Sequence, residues 1–182
     1  SRLMVTTYHG FSVETKEIDN LSLTAGRFTR MSGRESAGSE KMYLFNGPDV
    51  RIRSDGLNFG GGTYAFTPAL SATYFYGQLE DIYEQHYFGL AHLADLGGGY
   101  KLKTDLRYFD NSEDGDAYYG NIDNQSYGAM TVLSKGAHSF GLGYQRMLGD
   151  SAFPTLSGYA PQPYLVNWST IAFIKPNESS WQ

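Results

Sequence analysis

Few residues in this chain have the types and spacing that chemistry requires. DNSEDGDAYYGN (110–121) sets Asp110, Ser112, Asp114, Gly115 and Asp116 at the positions of a calcium loop. Its twelfth residue is Asn121, where such a loop needs a bidentate Glu, and no helical pattern flanks it. An acidic surface loop built on Asx turns is the simpler reading, with Asp110, Asp114 and Asp116 kept as a fallback calcium site. His86 and His92 stand six apart near Asp81, but no GxSxG or comparable elbow presents a nucleophile to them. The glycine runs at 60–62 and 97–99 lead into no helix, so turns and close packing account for them better than a phosphate cradle. Cysteine is absent, which removes thiolate nucleophiles, disulfides and Cys-based zinc sites. Four N-x-S sequons (Asn20, Asn124, Asn167, Asn177) read as chance, since Asn20 lies in a tight turn. No catalysis, no cofactor and no firm metal site are expected.

The basic residues are a different matter. In YKLKTDLRYF (100–109) the even positions are Tyr100, Leu102, Thr104, Leu106 and Tyr108, while Lys101, Lys103, Asp105 and Arg107 alternate with them. A period of two is a strand with one apolar and one charged face. Tyr100 and Tyr108 are eight residues apart, about 26 Å along a strand at ~3.3 Å per residue. Tilted by ~40°, that span becomes roughly 20 Å, close to the apolar band of a transmembrane barrel. The aromatics are then girdle residues, and Tyr74, Tyr76, Tyr87, Tyr127, Phe140 and Tyr144 can serve the same way. Lys101, Lys103 and Arg107 must face water, because a basic residue at the bilayer midplane costs ~2–4 kcal/mol.

Similar patterns run through the chain, at 9–17, 21–30, 57–67, 70–80, 83–95, 98–110, 124–135 and 138–148, with a ninth beginning at 168–174. Between 83 and 95, His86 and Tyr87 compete for the apolar face. Connections are short at 18–20, 68–69, 96–97 and 135–137, and longer at 31–56, 111–123 and 149–167. Only the short link at 80–82 breaks this order. Short turns at one end and long loops at the other are the plan of an outer-membrane barrel. The fold class is therefore all-β, an antiparallel meander of about eight or nine strands. The alternative is a soluble, lipocalin-like barrel binding a small apolar ligand, but many of its inner positions would be Tyr, each hydroxyl needing a buried partner.

Composition agrees. Among 182 residues there are 15 Tyr, 11 Phe and 22 Gly, a mixture suited to strands and tight turns. The net charge of −5 gives no electrostatic reason to propose nucleic acid. No run approaches ~18 apolar residues, so no membrane-spanning helix is expected. The start, SRLMVTTYHG, is neither a signal nor a transit peptide.

Six stretches resemble the OprD-type substrate-specific porins, also called outer-membrane carboxylate channels. They are SRLMVTTYHGF (1–11), EIDNLSLTAGRFTR (17–30), FGGGTYAFTPALSATYFYGQLEDIYEQHY (59–87), NIDNQSYGAMTV (121–132), HSFGLGYQRMLGD (138–150), and YLVNWS (164–169) with PNESSWQ (176–182). The resemblance implies an 18-stranded transmembrane β-barrel in the outer membrane of a Gram-negative bacterium, a monomeric pore that can form a weak trimer. This chain would be one internal segment of it: 1–8 at the constricting loop, 9–174 as strands and loops, 175–182 as a turn and the start of a further strand. The implied function is passive, selective uptake of small carboxylate-bearing nutrients along a lumenal ladder of basic residues, in contact with outer-membrane lipid and lipopolysaccharide.

By the same resemblance Arg2, in SRL, matches a ladder arginine at the constriction, and Arg34 a second position in the subgroup that prefers aromatic acids. Lys16, Arg27 and Arg30 are neighbours proposed on sequence grounds alone, with a solvated rim charge as the alternative for each. Family members that handle basic amino acids carry Tyr and Asp where Ile171 and Phe173 stand here, so a monocarboxylate without positive charge, aromatic ones included, is expected. Val5 stands where Pro is frequent in the family, a departure that implies a different setting of the loop around Arg2.

Overall fold

The computed structural model describes residues 7–33, 38–44, 49, 51–156 and 175–181. Among the described residues nine strands form one sheet in which each pairs antiparallel with the next in sequence. They are β1 (Thr7–Ile18), β2 (Leu21–Ser32), β3 (Leu57–Thr67), β4 (Leu70–Leu79), β5 (Tyr83–Gly97), β6 (Tyr100–Glu113), β7 (Asp123–Lys135), β8 (His138–Gly149) and β9 (Ser179–Trp181). Eight of them lie where the alternation predicts, to within a few residues. The ninth predicted strand, 168–174, lies outside the described residues, as do Ile171, Phe173 and Val5.

Turn chemistry sets the short end of the meander. Asp19-Asn20, Pro68-Ala69, Gly98-Gly99 and Gly136-Ala137 join successive strands there. Gly98 and Gly99 both have positive φ, 60° and 80°, the conformation that a two-residue hairpin needs to match strand twist. The longer connections, after β2 and after β6, leave from the opposite end, where the tight link Glu80–Ile82 also lies.

Cross-strand pairing sorts the side chains into two faces. One carries Leu102, Leu106 and Tyr108 of β6 with Ala94, Leu90 and Phe88 of β5 and Leu133, Ala129 and Tyr127 of β7. Large apolar groups stand bare on it: Phe140 is 72% exposed and Phe66 58%. A soluble barrel would hide such groups inside, so the lipocalin-like alternative is overturned. The aromatics form belts. Along one edge of the apolar band Tyr74 meets Phe88 at 4.9 Å, Phe88 meets Tyr108 at 6.3 Å, Tyr127 meets Tyr144 at 6.3 Å, and Tyr144 meets Trp181 at 4.5 Å. Toward the short-turn end stand Tyr64, Phe66 and Tyr100, with the Lys135 ammonium 4.0 Å over the Tyr100 ring. These are interfacial girdles. Tyr87 is the exception to the predicted set. It pairs with Phe75 and Phe109 on the opposite, inner face, and His86 takes the outer position beside Tyr76.

The buried core sits on the inner face at the long-loop end. Met31, Met42, Leu44, Leu79, Ile82, Tyr83 and Ile122 cluster there, so residues 42–44 of the β2–β3 connection lie over the inner wall instead of standing away from it. A second contact holds 150–156 inward. Phe153 packs edge-on against Phe109 at 5.3 Å and covers Met147.

Candidate functional site

The inner wall between these inward-folded segments and the short turns is the candidate site. On β6 it carries Lys101, Lys103, Asp105, Arg107, Phe109 and Asn111 in succession, because their alternate neighbours are the girdle and lipid-facing residues. Lys103 pairs with Asp105 at 3.1 Å. Lys101 and Arg107 have no carboxylate within ion-pair distance among the described residues. Arg107 lies directly opposite Gly89 on β5 and Gly128 on β7, so neither neighbouring strand puts a side chain beside it in that row.

Above Arg107 the inner wall becomes aromatic and then polar. Tyr87 and Phe109 have ring centroids 4.7 Å apart, and Phe75 stands opposite Tyr87. Buried Asn111 accepts from Gln85 Nε2 at 2.6 Å and donates to the Asn124 carbonyl at 3.1 Å. Asn124, fully buried, donates in turn to the Ser151 carbonyl at 3.0 Å. The network thus ties the inward segment to three strands.

The other basic residues lie four and five strands away, on β2 and β1. Lys16, on the inner face of β1, pairs with Glu14 at 2.8 Å. Arg30 Nη1 donates to the Ser39 carbonyl at 3.4 Å. Arg27 projects from the outer face of β2, where its guanidinium forms a two-pronged ion pair with Glu80 and donates to Asn58 Oδ1 at 2.9 Å. Those bonds hold the Glu80 carboxyl below its ordinary range. Arg2 and Arg34 lie outside the described residues.

Loop charges are used in the same way. Arg51 grips Asp49 through its guanidinium and backbone N–H, lowering that carboxyl to about 2. The Tyr119 hydroxyl donates to the Asp49 carbonyl at 2.6 Å, pinning the β2–β3 connection to the β6–β7 connection. Arg53 lies 4.3 Å over the Tyr43 ring and 3.4 Å from Glu40.

The calcium motif is spread over different structures. Asp110 lies within β6 on its outer face, opposite His86. Asp114 accepts from Gln78 Nε2 at 2.9 Å and from the Asp81 backbone N–H at 3.0 Å, tying the β6–β7 connection to the β4–β5 link. The backbone N–H of Asp116 donates to Asp81 Oδ1 at 3.3 Å. No group of three or more His, Asp or Glu converges as metal ligands among the described residues.

The aromatic inner wall was missed in the sequence because 83–95 has apolar residues at both parities. The register could have found it: Arg107 must face water, and Gly89 and Tyr87 follow it to the same side.

Comparison with known proteins agrees with this architecture. The profile of the outer membrane porin, OprD family, matches residues 1–182. The chain is 31% identical over its whole length to the porin-like protein GalP of Pseudomonas putida, covering 44% of that protein. Among solved structures, OpdL of Pseudomonas aeruginosa superposes with a TM-score of 0.90 at 48% identity, over 99% of this chain and 49% of that one. OpdK of Pseudomonas aeruginosa, crystallised with vanillate, superposes at 0.86 with 31% identity, over 97% of this chain and 46% of that one. The chain therefore spans about half the length of the relatives it matches. It belongs to the OprD family of outer-membrane porins, and its nine-stranded meander is part of a transmembrane β-barrel of the Gram-negative outer membrane.

Proposed function

We propose that a barrel containing this chain admits small monocarboxylates, aromatic ones among them, by passive diffusion along basic residues of the lumen. The observation that carries the reading is the inner row of β6, where Lys101, opposite Asp95, and Arg107, opposite Gly89, make no ion pair among the described residues. A water-filled lumen walled by low-dielectric protein and lipid focuses the field of such a row, and a guanidinium binds a carboxylate through two parallel hydrogen bonds. Arg2 and Arg34 extend the row toward the constriction by family resemblance. Lys16 and Arg30 are secondary members. Arg27 is left out, since its charge is committed to Glu80 on the outer face. The vanillate in the OpdK structure, an aromatic carboxylate, supports the same substrate class here. Lipid and lipopolysaccharide contact the girdled outer face, and each barrel conducts through its own lumen whether or not barrels associate.

The test is uptake into proteoliposomes containing a complete barrel that carries this chain. Benzoate should enter faster than arginine or lysine. Faster entry of the basic amino acids would overturn the proposal.

A further inference from the structure

We infer that Arg107 and Tyr87 form a carboxylate subsite on the inner wall, with the rings of Phe75, Tyr87 and Phe109 receiving an aromatic body. The inference rests on the carboxylate-uptake reading and gives it a location. It follows from how three neighbouring strands are filled. Gly89 stands directly opposite Arg107. A methyl group added at Gly89 would lie 2.7 Å from the Tyr87 hydroxyl, so that hydroxyl is folded along β5 over the glycine. The Cβ positions of directly opposed residues are about 5 Å apart, which sets the hydroxyl beside the base of the Arg107 side chain. Both residues are half-buried on the inner face, and neither the hydroxyl nor the guanidinium has a hydrogen-bond partner among the described residues. On the far side of Arg107 the opposed residue is Gly128.

The surroundings favour one kind of guest. Phe109 lies on the same face two residues beyond Arg107, its ring 4.7 Å from that of Tyr87, while Phe75 opposes Tyr87 from β4. The nearest carboxylate on the inner face of β6, Asp105, is engaged by Lys103 at 3.1 Å and does not neutralise Arg107. A carboxylate set here takes two N–H···O bonds from the guanidinium and a third from the tyrosine O–H. An aromatic body attached to it meets ring edges and faces on the long-loop side. Lys101 and Lys103 lie nearer the short turns without aromatic neighbours on their own face of β6, so they attract anions without selecting among them.

The experiment is current block in planar bilayers, titrating benzoate and acetate against a complete barrel carrying this chain and its Arg107→Gln, Arg107→Lys and Tyr87→Phe variants. Arg107→Gln should weaken benzoate block about tenfold or more. Arg107→Lys should recover only a minor part of that loss, because an ammonium cannot make the paired bonds. Tyr87→Phe should weaken benzoate block roughly threefold, the loss of one hydrogen bond. Open-channel conductance and heat-dependent gel migration report that each variant is folded. Should Arg107→Gln fail to insert, unchanged benzoate block in both other variants overturns the site. Unchanged block in an inserted Arg107→Gln overturns the subsite while carboxylate uptake stands. Benzoate without effect on the unsubstituted barrel overturns both. Acetate blocking as strongly as benzoate overturns the aromatic half.

Discussion

Arg27 and Arg107 carry the same charge on strands of one sheet, yet backbone alternation sends them to opposite faces. Arg27 emerges outward near the long-loop end, where Glu80 and Asn58 bind its guanidinium. Arg107 emerges inward between Gly89 and Gly128, in no ion pair among the described residues. The first arrangement holds a loop and the second is free for a solute. Removing the carboxylate with Glu80→Gln should lower the thermal midpoint of the detergent-solubilised barrel by roughly 2–4 °C and leave ion selectivity unchanged. The pH dependence has a definite sign. Arg27 lowers the folded-state pKa of Glu80, so the folded state binds fewer protons than the unfolded state near the ordinary glutamate value of about 4.3. The contribution is present above that value and is lost as pH falls through the lower folded one. Unfolding midpoints of the two proteins should therefore converge on acidification below about pH 4; a gap that persists there would contradict the assignment.

At the scale of the strand, position within the period of two decides what a residue may be. Leu106 faces lipid and Arg107 faces water one residue on. Leu106→Lys should destabilise the barrel by about 2–4 kcal/mol and reduce the fraction reaching the heat-modifiable folded form, while the equally charged Arg107→Lys should fold normally. The inner polar network gives a second prediction. Asn124→Ala removes the donor to Ser151 and the side-chain acceptor of buried Asn111, which keeps only the backbone carbonyl, at a cost of about 1–3 kcal/mol. Segment 150–156 should loosen, seen as larger and noisier single-channel current; an unchanged trace would show that the segment does not narrow the path. Much of this scale was legible beforehand. The alternation in 100–109 separates charged from apolar positions, and Tyr100 with Tyr108 marks two girdles without any knowledge of pairing. Tyr87 was misassigned because both parities of 83–95 are apolar, and only the Gly89–Arg107 pairing decides between them. The inward fold of 38–44 was hidden as well. Met42 and Leu44 are ordinary loop residues in sequence, and their burial depends on Leu79, Ile82 and Ile122 from distant strands.

At the scale of the molecule, the sheet is a wall with two unlike faces. Its outer surface is apolar between aromatic belts, so lipid solvates it. Its inner surface grades from lysines near the short turns, through Arg107 and three aromatic rings, to a polar network and inward-folded segments. By the plan of outer-membrane barrels the short turns face the periplasm, so on the proposed function an anion would meet the inward-folded segments first and the lysines last. The direct measurement of this arrangement is reversal potential in a KCl gradient across a planar bilayer. It compares a complete barrel carrying this chain with the same barrel bearing Lys101→Gln, Lys103→Gln and Arg107→Gln together. A lumenal basic row predicts that the substituted barrel shifts toward cation preference, with the chloride-to-potassium permeability ratio falling roughly twofold or more. A reversal potential that does not move would mean that these three charges do not face the conducting path, and the account of the inner wall would be wrong.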